Sequence, residues 1–256
     1  MEKSSQNNKV KKTVSEVKTF GVPNPLRIIN ENISISTNTN IQVSKEKIIH
    51  QAFKLHSQGN LSEATKYYQY CINQGFTDPR IFSNYGLILI DQGNLKEAEL
   101  SMRKAIELNP EFASAYSNLG GILQKLGKSK EAENSFRKAI ELDPKFADAH
   151  YNLGGILQKF GKTKEAENCL RKAIENNPHQ GEAYFHLGNI LKADAKFDEA
   201  LYNFKKAQAN KMDQNQCIAA IGKLLLSQGK HAEGIKNIRE GEGAIIFDLK
   251  NGYSKV

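Results

Sequence analysis

Two adjacent stretches, Ala113 to Phe146 and Ala147 to Gln180, read ASAYSNLGGILQKLGKSKEAENSFRKAIELDPKF and ADAHYNLGGILQKFGKTKEAENCLRKAIENNPHQ, identical at 23 of 34 positions without a gap. A repeat of this length is one supersecondary unit that cannot bury its apolar face alone, so copies must stack into a solenoid. Units of the same length also start at Lys45, Pro79, Gly181 and Asn215, so six units run without insertion, the last, degenerate one covering 215–243.

Leu119 and Leu123 recur at helical spacing on a first helix, and Ala132, Phe136 and Ala139 on a second, which predicts two antiparallel amphipathic helices per unit. Gly120, Gly154 and Gly188 are expected where the two helices cross, giving Ala132, Ala166 and Ala200 room to approach, and the same packing is taken to explain Gly121 and Gly155. Gly127 and Gly161 read as turns, and Pro110, Pro144 and Pro178 as stops after the second helix. Glu99 with Arg103, Glu133 with Arg137 and Glu167 with Arg171 are i,i+4 pairs, expected on exposed faces and marking solvent.

The first, fifth and sixth units depart from this pattern; a terminal unit, with one face toward water, is expected to do so. The first (45–78) has Gln51-Ala52 in place of Leu-Gly and Phe76 in place of proline. The fifth (181–214) has Ala195 at the turn and Met212 where proline is expected. The sixth has Gly234 and Gly241 where alanine is preferred. An interior glycine costs a helix about 1 kcal/mol relative to alanine, so the last helix is expected to fray.

Residues 1–44 are polar and rich in Ser, Asn and Lys, with no sustained apolar period, and read as a disordered tail. Within it Phe20-Gly-Val-Pro-Asn-Pro-Leu26 reads as a partner motif, a latch on the first repeat, or linker. Residues 244–256, AIIFDLKNGYSKV, read as an extended, strand-like tail, with Ile245 and Phe247 expected to cap the last repeat.

The net charge is +8, from 36 Lys and Arg against 28 Asp and Glu. Six basic against three acidic residues in the first 44 supply about a third of that excess. In the repeats the basic residues alternate with Glu and no Arg-aromatic cluster occurs, which points away from nucleic acid. Cys71, Cys169 and Cys217 fit neither a disulfide framework nor a metal spacing. With no apolar run of membrane-spanning length and no secretory signal in MEKSSQNNKVKK, the expectation is a cytoplasmic protein.

In the third unit Tyr116, Leu119, Gly120, Ala132, Phe136, Ala139 and Pro144 fall in register with the other units, and this pattern resembles the tetratricopeptide repeat (TPR). The resemblance implies an all-α, right-handed superhelix of six helix-turn-helix repeats whose first helices line a concave groove. One groove position carries His50, Asn84, Asn118, Asn152, His186 and Ala220, a central asparagine ladder similar to that of O-GlcNAc transferase repeats, where such amides hold a peptide backbone. The other reading has each Asn capping or bonding within its own repeat. Gln124, Lys125, Gln158, Lys159, Tyr151, Phe185, Asn189 and Lys192 complete a polar, mildly basic groove. The carboxylate clamp of chaperone-binding relatives requires lysine at a position that here reads Ile49, Ser83, Ser117, Tyr151, Phe185 and Ala219, so that mode is not implied.

The six histidines show no metal spacing, and neither a phosphate loop nor a nucleophile motif is present. The expectation is a non-catalytic scaffold, without cofactor or metal, that binds a protein or extended peptide. Two alternatives stand beside it: an accessory module for a glycosyltransferase acting in trans, and a structural module self-assembling through its terminal repeats.

Overall fold

The computed structural model describes residues 44–242, 245–248 and 252–255. Six helix pairs follow one another: α1 (Lys45–Ser57) with α2 (Leu61–Asn73), α3 (Pro79–Asp91) with α4 (Leu95–Leu108), α5 (Ala113–Lys125) with α6 (Ser129–Leu142), α7 (Ala147–Lys159) with α8 (Thr163–Asn176), α9 (Gly181–Ala193) with α10 (Phe197–Ala209), and α11 (Gln214–Ser227) with α12 (His231–Glu242). Of the tail expected to be disordered, 1–44, residues 1–43 with the Phe20 to Leu26 segment lie outside the described residues, as do the side chains of Ile245 and Phe247, whereas Ser44 caps α1. The carboxyl tail, expected to be extended, forms two antiparallel strands, β1 (Ile245–Asp248) and β2 (Gly252–Lys255), with Phe247 opposite Tyr253.

Each pair turns by the same device. Lys128 N–H donates to Leu123 O at 2.8 Å and Gly127 N–H to Gln124 O at 3.1 Å, with Gly127 at φ 77°. These two bonds satisfy the last carbonyls of α5 and require a left-handed residue between them. The fifth repeat keeps the pattern, Lys196 N–H to Leu191 O at 2.9 Å and Ala195 N–H to Lys192 O at 3.1 Å, and so forces Ala195 to φ 57°. That conformation brings an alanine Cβ against the next carbonyl. At the far end of the second helices, Asn109, Asp143 and Asn177 leave helical geometry just before proline, at φ/ψ of −142°/94°, −134°/93° and −136°/88°. A proline ring excludes its predecessor from the helical region, which ends these helices.

The helix crossing differs from the expected one. A Cβ on Gly120 would lie 2.7 Å from Cε1 of Phe136, one on Gly188 2.7 Å from Cε1 of Phe204, and one on Gly154 3.0 Å from Cγ of Leu170. The glycine therefore admits the large residue four places beyond the alanine, while Ala132, Ala166 and Ala200 are themselves fully buried. Leu89, Leu123, Leu157, Leu191 and Leu224 extend this core through successive pairs as one continuous ribbon.

Nor do the Glu–Arg pairs merely mark solvent. Glu133 is 2 % exposed. Arg137 donates to it at 2.9 Å and also reaches Glu165 of the next repeat at 2.9 Å, while Lys162 of that repeat returns to Glu133 at 3.3 Å. The same set recurs one repeat earlier, as Arg103–Glu99 2.8 Å, Arg103–Glu131 3.0 Å and Lys128–Glu99 2.9 Å. It recurs one repeat later as Arg171–Glu167 2.7 Å, Arg171–Glu199 3.0 Å and Lys196–Glu167 3.7 Å. An ion ladder thus ties the second through fifth repeats along their second helices. The i,i+4 spacing showed one rung of each set, and the inter-repeat separations of 28 and 29 residues carried the rest.

Candidate functional site

Among the first helices α3 packs on α5 and α5 on α7, and no two second helices approach one another comparably. The row of first helices therefore forms the inner side of the curve, where successive units crowd. Along it lie three depressions.

The first, of about 340 Å³, is lined by Ser117, Asn118, Gly121 and Lys125 from α5 and by Asp148, Tyr151 and Asn152 from α7, with Ile90, Ile122, Phe146 and Gln180 around them. The second, about 320 Å³, shares Tyr151 and Asn152 and adds Gln124, Gly155, Gln158, Lys159 and His186. The third, about 470 Å³, lies between α9 and α11 and includes Phe185, Asn189, Lys192, Asp213, Lys223 and Glu242. Eight of the expected groove residues (Asn118, Gln124, Lys125, Tyr151, Asn152, Gln158, Lys159 and His186) thus come together in two adjoining depressions, and Asn189 opens the third.

Asn84 stands apart from these depressions. Burial pushes the Tyr68 hydroxyl up to about 12, and a hydrogen bond from the Asn84 side chain works the other way. Tyr68 Oη also lies 3.0 Å from Nδ1 of His56. Asn84 thus stands beside Tyr68 within the array. The Asn118 and Asn152 carboxamides are half-buried and make no hydrogen bond among the described residues. Each leaves two donor hydrogens and an acceptor oxygen unspent.

The central wall is aromatic. Tyr151 meets His186 edge to face with ring centroids 5.6 Å apart, and His186 meets Phe185 at 6.3 Å. Burial holds the His186 imidazole below its ordinary value against the opposing charge of Glu182, so at neutral pH it is an uncharged donor and acceptor. Burial also pushes the Tyr151 hydroxyl up, leaving it protonated. Across the first depression Gln180 Nε2 donates to Asp148 Oδ1 at 3.1 Å.

Gly121 and Gly155 form the open floor, since a Cβ on either would meet nothing within 4 Å. Their attribution to helix packing is therefore corrected: in each Gly-Gly pair only the first residue faces the partner helix. Consecutive helical residues point about 100° apart, so the pair could not have served one contact. That geometric limit was the signal available in the sequence. Asp148, Ser117 and Gln180 gave no comparable signal.

Among the described residues no group of three His, Cys, Asp or Glu could hold a metal ion, and no helix is long and apolar enough to cross a membrane. Cys71, Cys169 and Cys217 are free thiols.

Family models described as "Tetratricopeptide repeat" match residues 113–146, 147–180 and 169–202, and one described as "TPR repeat" matches 86–127. No curated protein matches the sequence significantly. Among solved structures the chain is similar to PilF of Pseudomonas aeruginosa, at 15% identity over 75% of this chain and 87% of that one, with a TM-score of 0.66. It is similar to YrrB, described as a TPR protein with an unusual peptide-binding site, at 24% identity over 69% and 91%, with a TM-score of 0.59. It is also similar to MamA of Desulfovibrio magneticus, at 21% identity over 66% and 96%, with a TM-score of 0.57. These identities speak to the fold. With the family model that matches 113–146 and 147–180, two units of the frame found from the 34-residue period, they show that the chain contains tetratricopeptide repeats and folds as a TPR solenoid.

Proposed function

We propose that the protein is a non-catalytic scaffold whose inner groove binds an extended peptide of a partner protein, with Asn118 and Asn152 as anchors for the peptide backbone. The observation that carries this reading is the pair of half-buried carboxamides with no intramolecular hydrogen bond, one repeat apart, in adjoining depressions. Their amide atoms are open to the groove, and a carboxamide pairs with a peptide N–H and C=O whatever the side chain. The open floor at Gly121 and Gly155 leaves room for main chain to approach. Similarity to YrrB, whose description names a peptide-binding site, supports a peptide ligand for this groove too. The free thiols, two of them buried, accord with a reducing, cytoplasmic setting.

Selection from a phage-displayed library of random linear peptides tests this. The full chain should enrich binders whose affinity falls by about 1–3 kcal/mol in the Asn118→Ala/Asn152→Ala double variant, two hydrogen bonds' worth, while stability changes little. Asn84→Ala should instead lower stability and spare affinity, because its amide stands beside the buried Tyr68 hydroxyl and outside the depressions. No enrichment, or selected peptides that bind the double variant as well as the native chain, sinks the reading.

A further inference from the structure

Each depression of the groove contains one lysine from the last turn of a first helix: Lys125 on α5, Lys159 on α7 and Lys192 on α9. None of the three has a carboxylate within ion-pairing distance or any hydrogen bond among the described residues. Their counterparts on the second-helix side behave differently: Lys128 is committed to Glu99 at 2.9 Å, Lys162 to Glu133 at 3.3 Å and Lys196 to Glu167 at 3.7 Å.

The carboxylates lining the depressions keep their charge but have partners other than these three lysines. Asp148 accepts from Gln180, Asp213 accepts from Gln216 N–H at 2.8 Å as the cap of α11, and Glu242 pairs with Lys223. Glu182, at the opposite end of α9 from Lys192, is exposed and lines none of the three. The groove therefore carries three ammonium groups in a row along the C-terminal ends of its helices, none of them held in an ion pair among the described residues. Each shares its depression with a carboxamide: Asn118, Asn152 and Asn189.

Resting on the peptide-binding reading above, we infer that the ligand of this groove is an acidic peptide, with one carboxylate side chain facing each of Lys125, Lys159 and Lys192. Neighbouring first helices pack at about 8–10 Å, and a polyproline II chain advances about 3.1 Å per residue with about three residues per turn, so one repeat spans one turn of ligand and every third side chain faces the groove. The carboxylates fall at every third position of the peptide, and its backbone lies on the carboxamides between them. Exposed pairs of this kind are individually weak and screened by salt, so recognition is cumulative across the row and strongest at low ionic strength.

Fluorescence anisotropy tests this with the full chain and three labelled peptides of equal length, carrying glutamate, glutamine or lysine at every third position between alanine and serine. The glutamate peptide should bind tightest, and Lys125→Gln/Lys159→Gln/Lys192→Gln should weaken it about tenfold while leaving the glutamine peptide unchanged. A control variant, Lys96→Gln/Lys145→Gln/Lys164→Gln, removes three exposed, unpaired lysines elsewhere and should keep the preference. Equal loss in the control overturns the inference, since net charge alone would then account for the preference. Glutamate and glutamine peptides binding equally, both weakened by Asn118→Ala/Asn152→Ala, would overturn the acidic ligand and leave the groove reading standing. If no peptide binds the native chain, both fall.

Discussion

The central repeats and the last repeat pair their helices by different contacts. At α5 and α6 the crossing is glycine against a ring: Gly120 makes room for Phe136, which fills the space between the helices. At α11 and α12 it is backbone against backbone. A Cβ on Gly222 would lie 2.8 Å from the Gly234 carbonyl, one on Gly234 2.9 Å from the Gly222 carbonyl, and one on Gly241 would run into the Asn215 carbonyl. The residue corresponding to Phe136 is Ile238, smaller and unable to span the same gap, and glycines on both helices let the axes close instead. Gly234 and Gly241, expected as weak points of a fraying helix, are thus requirements of the closest crossing. The junctions differ as well. The ion ladder ties the second to fifth repeats, whereas the positions of its Glu and Arg carry Thr65 and Gln69 in the first repeat and Leu201 and Lys205 in the fifth. The same period is held together by charge and rings in the middle and by bare backbone at the end.

The sharpest break of this comparison is Gly234→Ala or Gly241→Ala. If these glycines were only poor helix formers, alanine would stabilise by about 1 kcal/mol. The crossing predicts the opposite sign, a loss of about 3 kcal/mol, because carbonyls of a packed helix cannot move aside as a side chain tip can. Chemical denaturation followed by circular dichroism decides between them. The floor glycine supplies the contrast: Gly121→Ala meets open space and should stabilise by about 1 kcal/mol.

The ladder is tested at Glu133. Burial pushes this carboxyl up, but Lys130, Arg137 and Lys162 more than offset it and hold it at about 2, below its ordinary 4.5. A depressed folded value gives stability that is present above about pH 4.5 and lost as pH falls toward about 2. Glu133→Gln should cost about 2 kcal/mol at neutral pH and flatten the acid limb of the stability profile over that window. Denaturation midpoints across the acid range check this, and an unchanged acid limb in the variant would show that the ladder is ornamental. The smallest effect belongs to the turn: Ala195→Gly relieves a left-handed alanine and should raise stability by about 0.5–1 kcal/mol, read as an upward shift in melting temperature.

The 34-residue period, the helix pairs, the turns at Gly127 and Gly161 and the stops before Pro110, Pro144 and Pro178 were all legible in the chain. Each rests on local physics: helical periodicity, a backbone angle that glycine reaches without strain, and a ring that excludes its predecessor from the helix. Which side chain meets which across a crossing is not local. The partner of Gly120 is the Phe136 ring because the helices are offset along their axes, and only the packed pair sets that offset. Glu133 is buried by lysines and arginines that include one from the next repeat, which an i,i+4 pattern within one helix does not show. In the asparagine ladder, identical residue types at identical positions diverge, since Asn84 has Tyr68 within reach and Asn118 and Asn152 have open groove. Periodicity in the sequence determines where a residue stands on its helix; what stands opposite it is decided by the neighbouring repeat, and that is settled only when the repeats stack.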